Sequence, residues 1–252
     1  MVGSDLLRYL KSNFQTVAAI NRKNYGRYKG KRFDVVINAN GNSNKVWAKN
    51  HVLSDFAAST TSVYQSLLDF PCKIYIYISS ADVYVDHTRS KTTSEDVPID
   101  PKSITSYGLH KYLSERIIQN FAKNYIILRC SMILGTKLKK GPAFDVLSNS
   151  HLFVGDKSAF QMITTEELGQ IISFLLERNT KQEIFNIGGH GALTLSKISP
   201  MIKRRIIFPK NGETIKYEMD VSKLNKIYKL KRSKDYFLDL LKNYGENYNY
   251  KV

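Results

Sequence analysis

Several residue types and patterns are scarce in this sequence of 252 residues, and each scarcity argues against a class of protein. It contains 2 cysteines, Cys72 and Cys130, with neither a C-x-x-C pair nor another metal-ligand spacing. This pattern argues against a disulfide-rich secreted domain and a zinc module, so we expect two reduced core thiols and no metal. No apolar run approaches the roughly 18 residues that a membrane-spanning helix needs. We therefore expect a cytoplasmic protein without a secretory signal or a membrane partner.

Acidic residues are outnumbered by basic ones. The chain has 38 Lys and Arg against 22 Asp and Glu, which gives a formal net charge of +16. Such a charge is compatible with nucleic-acid binding, with an anionic diphosphate ligand, or with compositional bias. The basic residues are scattered through all segments, and no nucleic-acid-binding motif accompanies them. We predict no nucleic-acid partner and favour compositional bias together with diphosphate binding.

Hydrophobic periodicity predicts strands that alternate with helices. Short apolar runs typical of strands lie at 17–20, 33–37, 74–78, 125–128 and 206–208, and helical patterns lie at 52–68, 105–123 and 235–244. This alternation predicts an α/β fold with a parallel sheet wound on both sides.

The residues with the most specific chemistry follow the strand at 74–78. That strand ends in the sequence SSADVY (79–84), and Tyr107 and Lys111 come later, at the start of a helix. Their spacing places both side chains on one helix face. An ammonium group favours the phenolate, so Lys111 together with a cationic cofactor ring is predicted to lower the pKa of Tyr107 from about 10 towards neutrality. Ser80 is predicted to donate a hydrogen bond to the same reacting oxygen.

These motifs resemble those of a known family. SSADVY at 79–84 and YGLHK at 107–111, followed by Glu115, are similar to the extended short-chain dehydrogenase/reductase family, in its NAD-dependent epimerase/dehydratase group acting on nucleotide sugars. The resemblance implies a Rossmann-type doubly wound parallel sheet with a small C-terminal substrate lobe. It implies a dinucleotide-binding core at 1–135 and a mixed segment at 136–252 that forms the lobe and returns to the core.

The resemblance also implies a catalytic site. Tyr107 would give or take the proton, Lys111 would lower its pKa and hold the nicotinamide ribose, and Ser80 would orient the oxygen. Ser80, Asp82 and Tyr107 would contact the substrate. The dehydratase branch has an Asp-Glu pair where this chain has Ala81 and Asp82, so dehydration is disfavoured. The implied activity is that of an NAD(P)-dependent nucleotide-sugar epimerase or 4-keto reductase in surface-polysaccharide synthesis.

The beginning of the chain departs from the family pattern. Members of the family begin with a strand and a glycine-rich turn whose backbone holds the cofactor pyrophosphate. Here only Gly3 corresponds to that turn, and the first strand is apparently lacking, which predicts a gap between its neighbours in the sheet. A shortened sequence or a misplaced start is the favoured explanation. The alternative is a catalytically weakened or silent Rossmann-fold binding or regulatory protein.

Positions for NADP or NAD can be carried over along the chain. Asn21 and Arg22 follow the strand predicted at 17–20, where a guanidinium suits the 2′-phosphate of NADP better than the two hydroxyls of NAD. A solvated basic turn is the alternative. Asn40 and Gly41 correspond to a small-residue turn under the adenosine. The implied cofactor set is Gly3, Asn21, Arg22, Asn40, Gly41, Tyr107, Lys111, Cys130 and Met132.

Two helices carry a prediction about assembly. In the resembled family a two-helix face commonly forms a dimer, and the helices at 52–68 and 105–123 correspond to it. The resemblance therefore predicts a homodimer. His110 lies within the second of these helices and is expected on the helix surface, without a catalytic role.

Overall fold

The computed structural model of the protein describes residues 2–136 and 138–244. The strands are β1 (Phe33–Asn38), β2 (Cys72–Ser80), β3 (Tyr125–Cys130), β4 (Met132–Leu134), β5 (Ala159–Phe160), β6 (Met162–Thr164), β7 (Glu183–Ile187), β8 (Leu193–Thr194) and β9 (Lys216–Tyr217). The α-helices are α1 (Val2–Asn13), α2 (Tyr25–Tyr28), α3 (Lys45–Asn50), α4 (Val52–Phe56), α5 (Ser62–Asp69), α6 (Ser106–Phe121), α7 (Pro142–Ser148), α8 (Thr165–Glu177), α9 (Ser222–Asn225) and α10 (Ser233–Tyr244). A π-helical turn lies at Ala57–Thr61, and 3-10 turns lie at Ala81–Val83, Ser90–Thr92 and Leu195–Ile198.

The central sheet has the strand order β1-β2-β3-β7, and each neighbouring pair is parallel. Parallel neighbours need crossover connections, and helices provide them. Helices α4 and α5 connect β1 to β2, α6 connects β2 to β3, and α8 lies between β3 and β7. The predicted parallel α/β sheet is confirmed.

The alternation of side chains along β2 shows how the sheet is covered. Successive residues of a strand point to opposite faces. Ile76 and Ile78 pack in one apolar cluster with residues of α1 and α8. Tyr75 and Tyr77 pack in another with residues of α5 and α6. Helices therefore cover both faces, as predicted for a Rossmann-type doubly wound fold.

The C-terminal part adds a small lobe beside the carboxyl ends of the central strands. Within it, β5 pairs with β8 antiparallel and with β9 parallel, and β4 pairs with β6. A separate apolar cluster, which includes Leu147, Phe160, Ile198 and Phe237, fills the lobe. Strand β9 ends at Tyr217, whose hydroxyl donates a hydrogen bond to Asp82 at 2.8 Å. The lobe thus reaches the polar turn that follows β2.

The predicted strand at 17–20 is wrong. Val17 is half-buried, and the turn that follows engages the backbone locally. The Asn24 side-chain amide donates to the Ala19 carbonyl at 2.9 Å, and the Asn21 N–H donates to the Asn24 side-chain oxygen at 2.7 Å. These local bonds satisfy backbone groups that a strand would offer to a neighbour.

The sheet is continuous from β1 to β7 with β1 at one edge, so the gap expected beside the lacking strand stays a prediction. A further expected strand is wrong. The segment 206–208 forms no strand. Ile206 and Phe208 pack against the lobe, but Ile207 is 79% exposed. Burial therefore alternates along 206–208 because one side of an extended loop packs on the lobe and the other side faces solvent.

Candidate active site

The first turn of α6 packs directly on the turn after β2. The Thr105 side chain caps the helix by accepting a hydrogen bond from the Gly108 N–H at 3.2 Å. A Cβ atom at Gly108 would lie 2.0 Å from the Asp82 carbonyl oxygen. Any side chain there would push the two segments apart. Glycine therefore permits the close approach that brings Tyr107 to the end of β2.

The phenol of Tyr107 is buried at this junction. Burial, together with the nearby charge of Asp82, raises its pKa to about 12, although Lys111 and hydrogen bonding with the Ser80 side chain act in the opposite direction. The predicted influence of Lys111 thus has the right sign, but in the ligand-free site burial outweighs it. At neutral pH the phenol keeps its proton, which suits a proton donor.

The ammonium group of Lys111 is buried between β2 and the turn that follows β1. Its Nζ donates to the Ile78 carbonyl at 3.1 Å and lies 4.8 Å from the centre of the Tyr77 ring. Gly41 has φ +122°, and a Cβ atom there would lie 3.3 Å from this Nζ. The turn at Gly41 and the side chain of Lys111 therefore face each other.

A cluster that we call the open cluster, formed by Lys45, Asp82 and Tyr217, lies beside Ser80. Lys45 Nζ is 2.6 Å from Asp82 Oδ1 and 2.6 Å from the Tyr217 hydroxyl. Ser80 Oγ donates to Asp82 Oδ2 at 2.7 Å. Burial would raise the pKa of Asp82, but the charge and hydrogen bond of Lys45, with hydrogen bonds from Ser80 and Tyr217, hold it below its usual range.

A cleft of about 440 Å³ opens on the other side of Gly41. Three predicted cofactor residues, Arg22, Asn40 and Gly41, line it together. The other lining residues are Asn42, Asn44, Trp47, Ala58 and Lys140. The described lining thus carries two cationic side chains and no carboxylate. An anion is the ligand that such a cleft favours.

The remaining predicted cofactor residues are more dispersed. A Cβ atom at Gly3 would lie 3.6 Å from Ala39, next to the cleft, whereas Asn21 lies in an exposed turn outside its lining. Cys130 is buried at the end of β3, where burial raises the pKa of its thiol to about 12. Met132 is half-buried in β4. Their predicted contacts with a cofactor stay predictions.

His110 is not on the helix surface, so that prediction is wrong. It is 3% exposed, and its Nδ1 lies 2.6 Å from Asp55 Oδ2. Asn42, which lines the cleft, donates to the other oxygen of Asp55 at 3.0 Å. A buried carboxylate on the neighbouring helix gives this imidazole a polar partner, which the sequence of α6 alone could not show.

A second polar group, which we call the enclosed network, lies under the site. Arg129 donates to Glu115 Oε2 at 2.8 Å and to the Tyr84 hydroxyl at 2.9 Å. Ser79 donates to Glu115 Oε1 at 2.5 Å, and Tyr84 donates to the Asn186 side chain at 2.8 Å. The network ties β2, β3, β7 and α6 together directly below the candidate site.

Sequence reasoning did not find Lys45 and Tyr217. They are 172 positions apart, and neither belongs to a local motif, so no sequence signal joined them to Asp82. Among the described residues, no group of His, Cys, Asp and Glu side chains could hold a metal ion. None of the described helices combines the length and apolar character needed to span a bilayer.

Known proteins share this architecture. RMD from Pseudomonas aeruginosa, solved with NADPH, matches with a TM-score of 0.80 at 13% identity, over 98% of this chain and 96% of that one. The dTDP-4-dehydrorhamnose reductase of Bacillus anthracis, solved with NADP, matches with a TM-score of 0.75 at 14% identity, over 94% and 92% of the two chains. The UDP-glucuronic acid 4-epimerase of Bacillus cereus, solved with UDP-glucuronic acid and NAD, has a TM-score of 0.70 at 18% identity, over 97% and 78%.

At these identities the structural matches show the fold. No curated protein matches the chain in sequence. The profile of the NAD dependent epimerase/dehydratase family matches residues 1–188, which is most of the chain. The protein therefore belongs to the NAD dependent epimerase/dehydratase family.

Proposed function

We propose that the protein is an NAD(P)-dependent nucleotide-sugar epimerase or 4-keto reductase in which Tyr107 exchanges a proton with a sugar oxygen. The observation that carries the proposal is the junction of β2 and α6. There the charge of Lys111 and a hydrogen bond with the Ser80 side chain both favour the ionised form of the Tyr107 phenol. A phenol, a hydroxyl and an ammonium at the carboxyl end of a parallel strand are suited to a carbon–oxygen centre that gains or loses a hydride.

The cleft fits a dinucleotide. It has two cations, no carboxylate in its described lining, and a glycine at φ +122° that lets the backbone approach a ligand closely. A bound nicotinamide dinucleotide would supply or accept the hydride. Arg22 is our candidate for the 2′-phosphate of NADP, and Lys111 for the nicotinamide ribose. Similar folds solved with NADPH, NADP and NAD support either cofactor.

The protonation of Tyr107 favours a direction. Because its pKa is raised to about 12, the phenol can donate a proton to an oxygen that gains negative charge. Reduction of a 4-keto sugar uses that step directly. Epimerisation also needs Tyr107 to take a proton from a sugar hydroxyl, which requires a lower pKa during turnover. The ligand-free site thus fits the keto reductase more simply.

The direct test is Tyr107→Phe assayed with NADPH and NADH against 4-keto and 4-hydroxy nucleotide sugars. We expect kcat to fall by about 10²–10⁴-fold, the usual contribution of general acid–base catalysis. The dissociation constant for the cofactor should change little. Tyr112→Phe, on the same helix but packed against the apolar cluster of Val83 and Tyr84, is the matched control and should keep its activity. Tyr107→Phe turnover within a factor of a few of the unmodified protein would contradict the proposal.

We also propose a homodimer through α4, α5 and α6. These helices expose large apolar side chains, with Leu53 85%, Leu68 58% and Phe121 54% exposed. Contiguous apolar surface on a protein commonly marks an interface. Light scattering should give twice the chain mass, and Phe121→Lys should shift it towards the monomer. A monomer for the unmodified protein at high concentration would refute this assembly.

A further inference from the structure

The two oxygens of the Asp82 carboxylate have different partners. Oδ1 accepts from Lys45 at 2.6 Å and from the Tyr217 hydroxyl at 2.8 Å, and Oδ2 accepts from Ser80 Oγ at 2.7 Å. The carboxylate therefore stands between a cation carried by α3 and the hydroxyl at the end of β2. Among the described residues, only Lys45 forms an ion pair with Asp82.

The direction of the Ser80 hydrogen bond follows from this arrangement. A serine hydroxyl has one proton, so a proton donated to Asp82 is not offered to another acceptor. Ser80 Oγ also accepts a hydrogen bond from the Asp82 N–H at 3.3 Å. A protonated Asp82 could instead donate to Ser80 and release the serine proton towards the ligand. The charge on Asp82 thus decides where the single proton of Ser80 lies.

We propose that Lys45 is a positioning residue that acts through Asp82. It keeps the carboxylate charged and fixed, and so fixes the direction of the Ser80 hydroxyl and offsets the negative charge beside the Tyr107 phenol. The part of this inference that concerns substrate rests on the proposed function. Lys45 itself does not need to contact the substrate.

Other groups around Asp82 do not replace Lys45. Tyr217 and Ser80 contribute hydrogen bonds but no charge. The His87 ring stacks on Tyr217 at 3.9 Å, and burial lowers the pKa of His87, which favours its neutral form. On the other side, the charge of Asp82 raises the pKa of Tyr107. Without Lys45, Lys111 would be left to oppose the negative charge of Asp82 at Tyr107.

The first test is independent of turnover. The titration of Asp82, followed by ¹³C NMR of the whole protein, is compared between the unmodified chain and Lys45→Met, Lys45→Arg and Lys49→Met. Lys49 is the matched control because it lies on the same helix, is exposed, and forms no ion pair in the part of the chain that the structure describes. We expect the midpoint to move up in Lys45→Met and to be restored by Lys45→Arg, which keeps the charge. Lys49→Met should leave it in place. An unchanged midpoint in Lys45→Met overturns the proposal.

The second test uses the pH profile of kcat/KM. In Lys45→Met the acidic limb of this profile should shift to higher pH together with the Asp82 midpoint. In Lys45→Arg the limb should return to its position in the unmodified protein. In the Asp82→Asn background, the added Lys45→Met change should alter kcat/KM by less than about 2-fold, because residues that act through one another are not additive. Additive losses, or a profile that stays in place while the Asp82 midpoint moves, overturn the proposal. If the unmodified protein turns over no nucleotide sugar, the proposed function fails, and the Asp82 titration still decides the role of Lys45.

Discussion

Two polar groups of similar composition lie on either side of the end of β2. The enclosed network combines Glu115, Arg129 and Tyr84, and the open cluster combines Asp82, Lys45 and Tyr217. In the first, the ion-paired side chains are 3% and 1% exposed. In the second, Lys45 is 48% exposed while Asp82 is 8% exposed. The same three kinds of group are therefore sealed in one place and open to solvent in the other.

This difference separates a structural role from a functional one. In the enclosed network every charged group has a protein partner, so it can hold β2, β3 and α6 in one arrangement. In the open cluster, Asp82 also bonds Ser80, which lies beside the buried phenol of Tyr107. A half-open ion pair contributes little to stability, but it can set the charge beside a reacting group.

The largest expected effect comes from breaking the enclosed network. Arg129→Met leaves Glu115 buried without its cation, which should reduce the free energy of unfolding by about 3–5 kcal/mol. Lys45→Met should reduce it by about 1 kcal/mol, since that lysine is partly in water. Urea denaturation of both variants measures the two values. Equal losses in the free energy of unfolding would contradict the view that the enclosed network is structural and the open cluster is not.

Breaking the pair of His110 and Asp55 should reduce the free energy of unfolding by an amount between these two values. It is buried like the enclosed network but is smaller, with Asn42 as a further partner of Asp55. His110→Phe removes the imidazole and leaves one carboxylate oxygen without its partner. We expect a loss of about 1.5–3 kcal/mol in the same urea experiment, as for hydrogen bonds to charged groups. A loss no larger than that of Lys45→Met would show that the burial of a pair does not determine how much it contributes to stability.

The smallest effect concerns the pH dependence of stability. The pKa of Asp82 is lowered in the folded protein, because Lys45, Ser80 and Tyr217 together outweigh the effect of burial. Its stabilising contribution is present above the pKa of the unfolded chain and is lost as the pH falls through the folded-state pKa. Asp82→Asn should therefore weaken the fall in Tm on acidification. A parallel Tm curve for both proteins would contradict this contribution.

Local patterns in the sequence were sufficient for much of the fold. The apolar run at 74–78 predicted β2. A central strand is buried on both faces of the sheet, so its successive side chains are all apolar or aromatic. The spacing of Tyr107 and Lys111 placed both on α6 near the end of β2. In contrast, 17–20 had a strand-like composition but pairs with no strand in the part of the chain that the structure describes, so turn hydrogen bonds prevailed.

The electrostatics of the site could not be predicted from those patterns. The sequence showed Lys111, the cation that lowers the pKa of Tyr107. It did not show the burial of the phenol, which raises that pKa by more than Lys111 lowers it. The partners of Asp82 come from α3 and β9, so they appear only when the lobe packs against the core. His110 looked like a surface residue because its partner, Asp55, lies on another helix. These effects depend on tertiary contacts between distant segments.

The most direct measurement of the central claim is the titration of the Tyr107 phenol in the ligand-free protein. Ring-labelled tyrosine NMR, with the Tyr107 signal assigned by its loss in Tyr107→Phe, reports this ionisation. Burial should place the midpoint at about 12, so that the phenol carries its proton at neutral pH and can act as a donor. A midpoint near neutrality would contradict the account, because Tyr107 would then be a phenolate before any substrate binds.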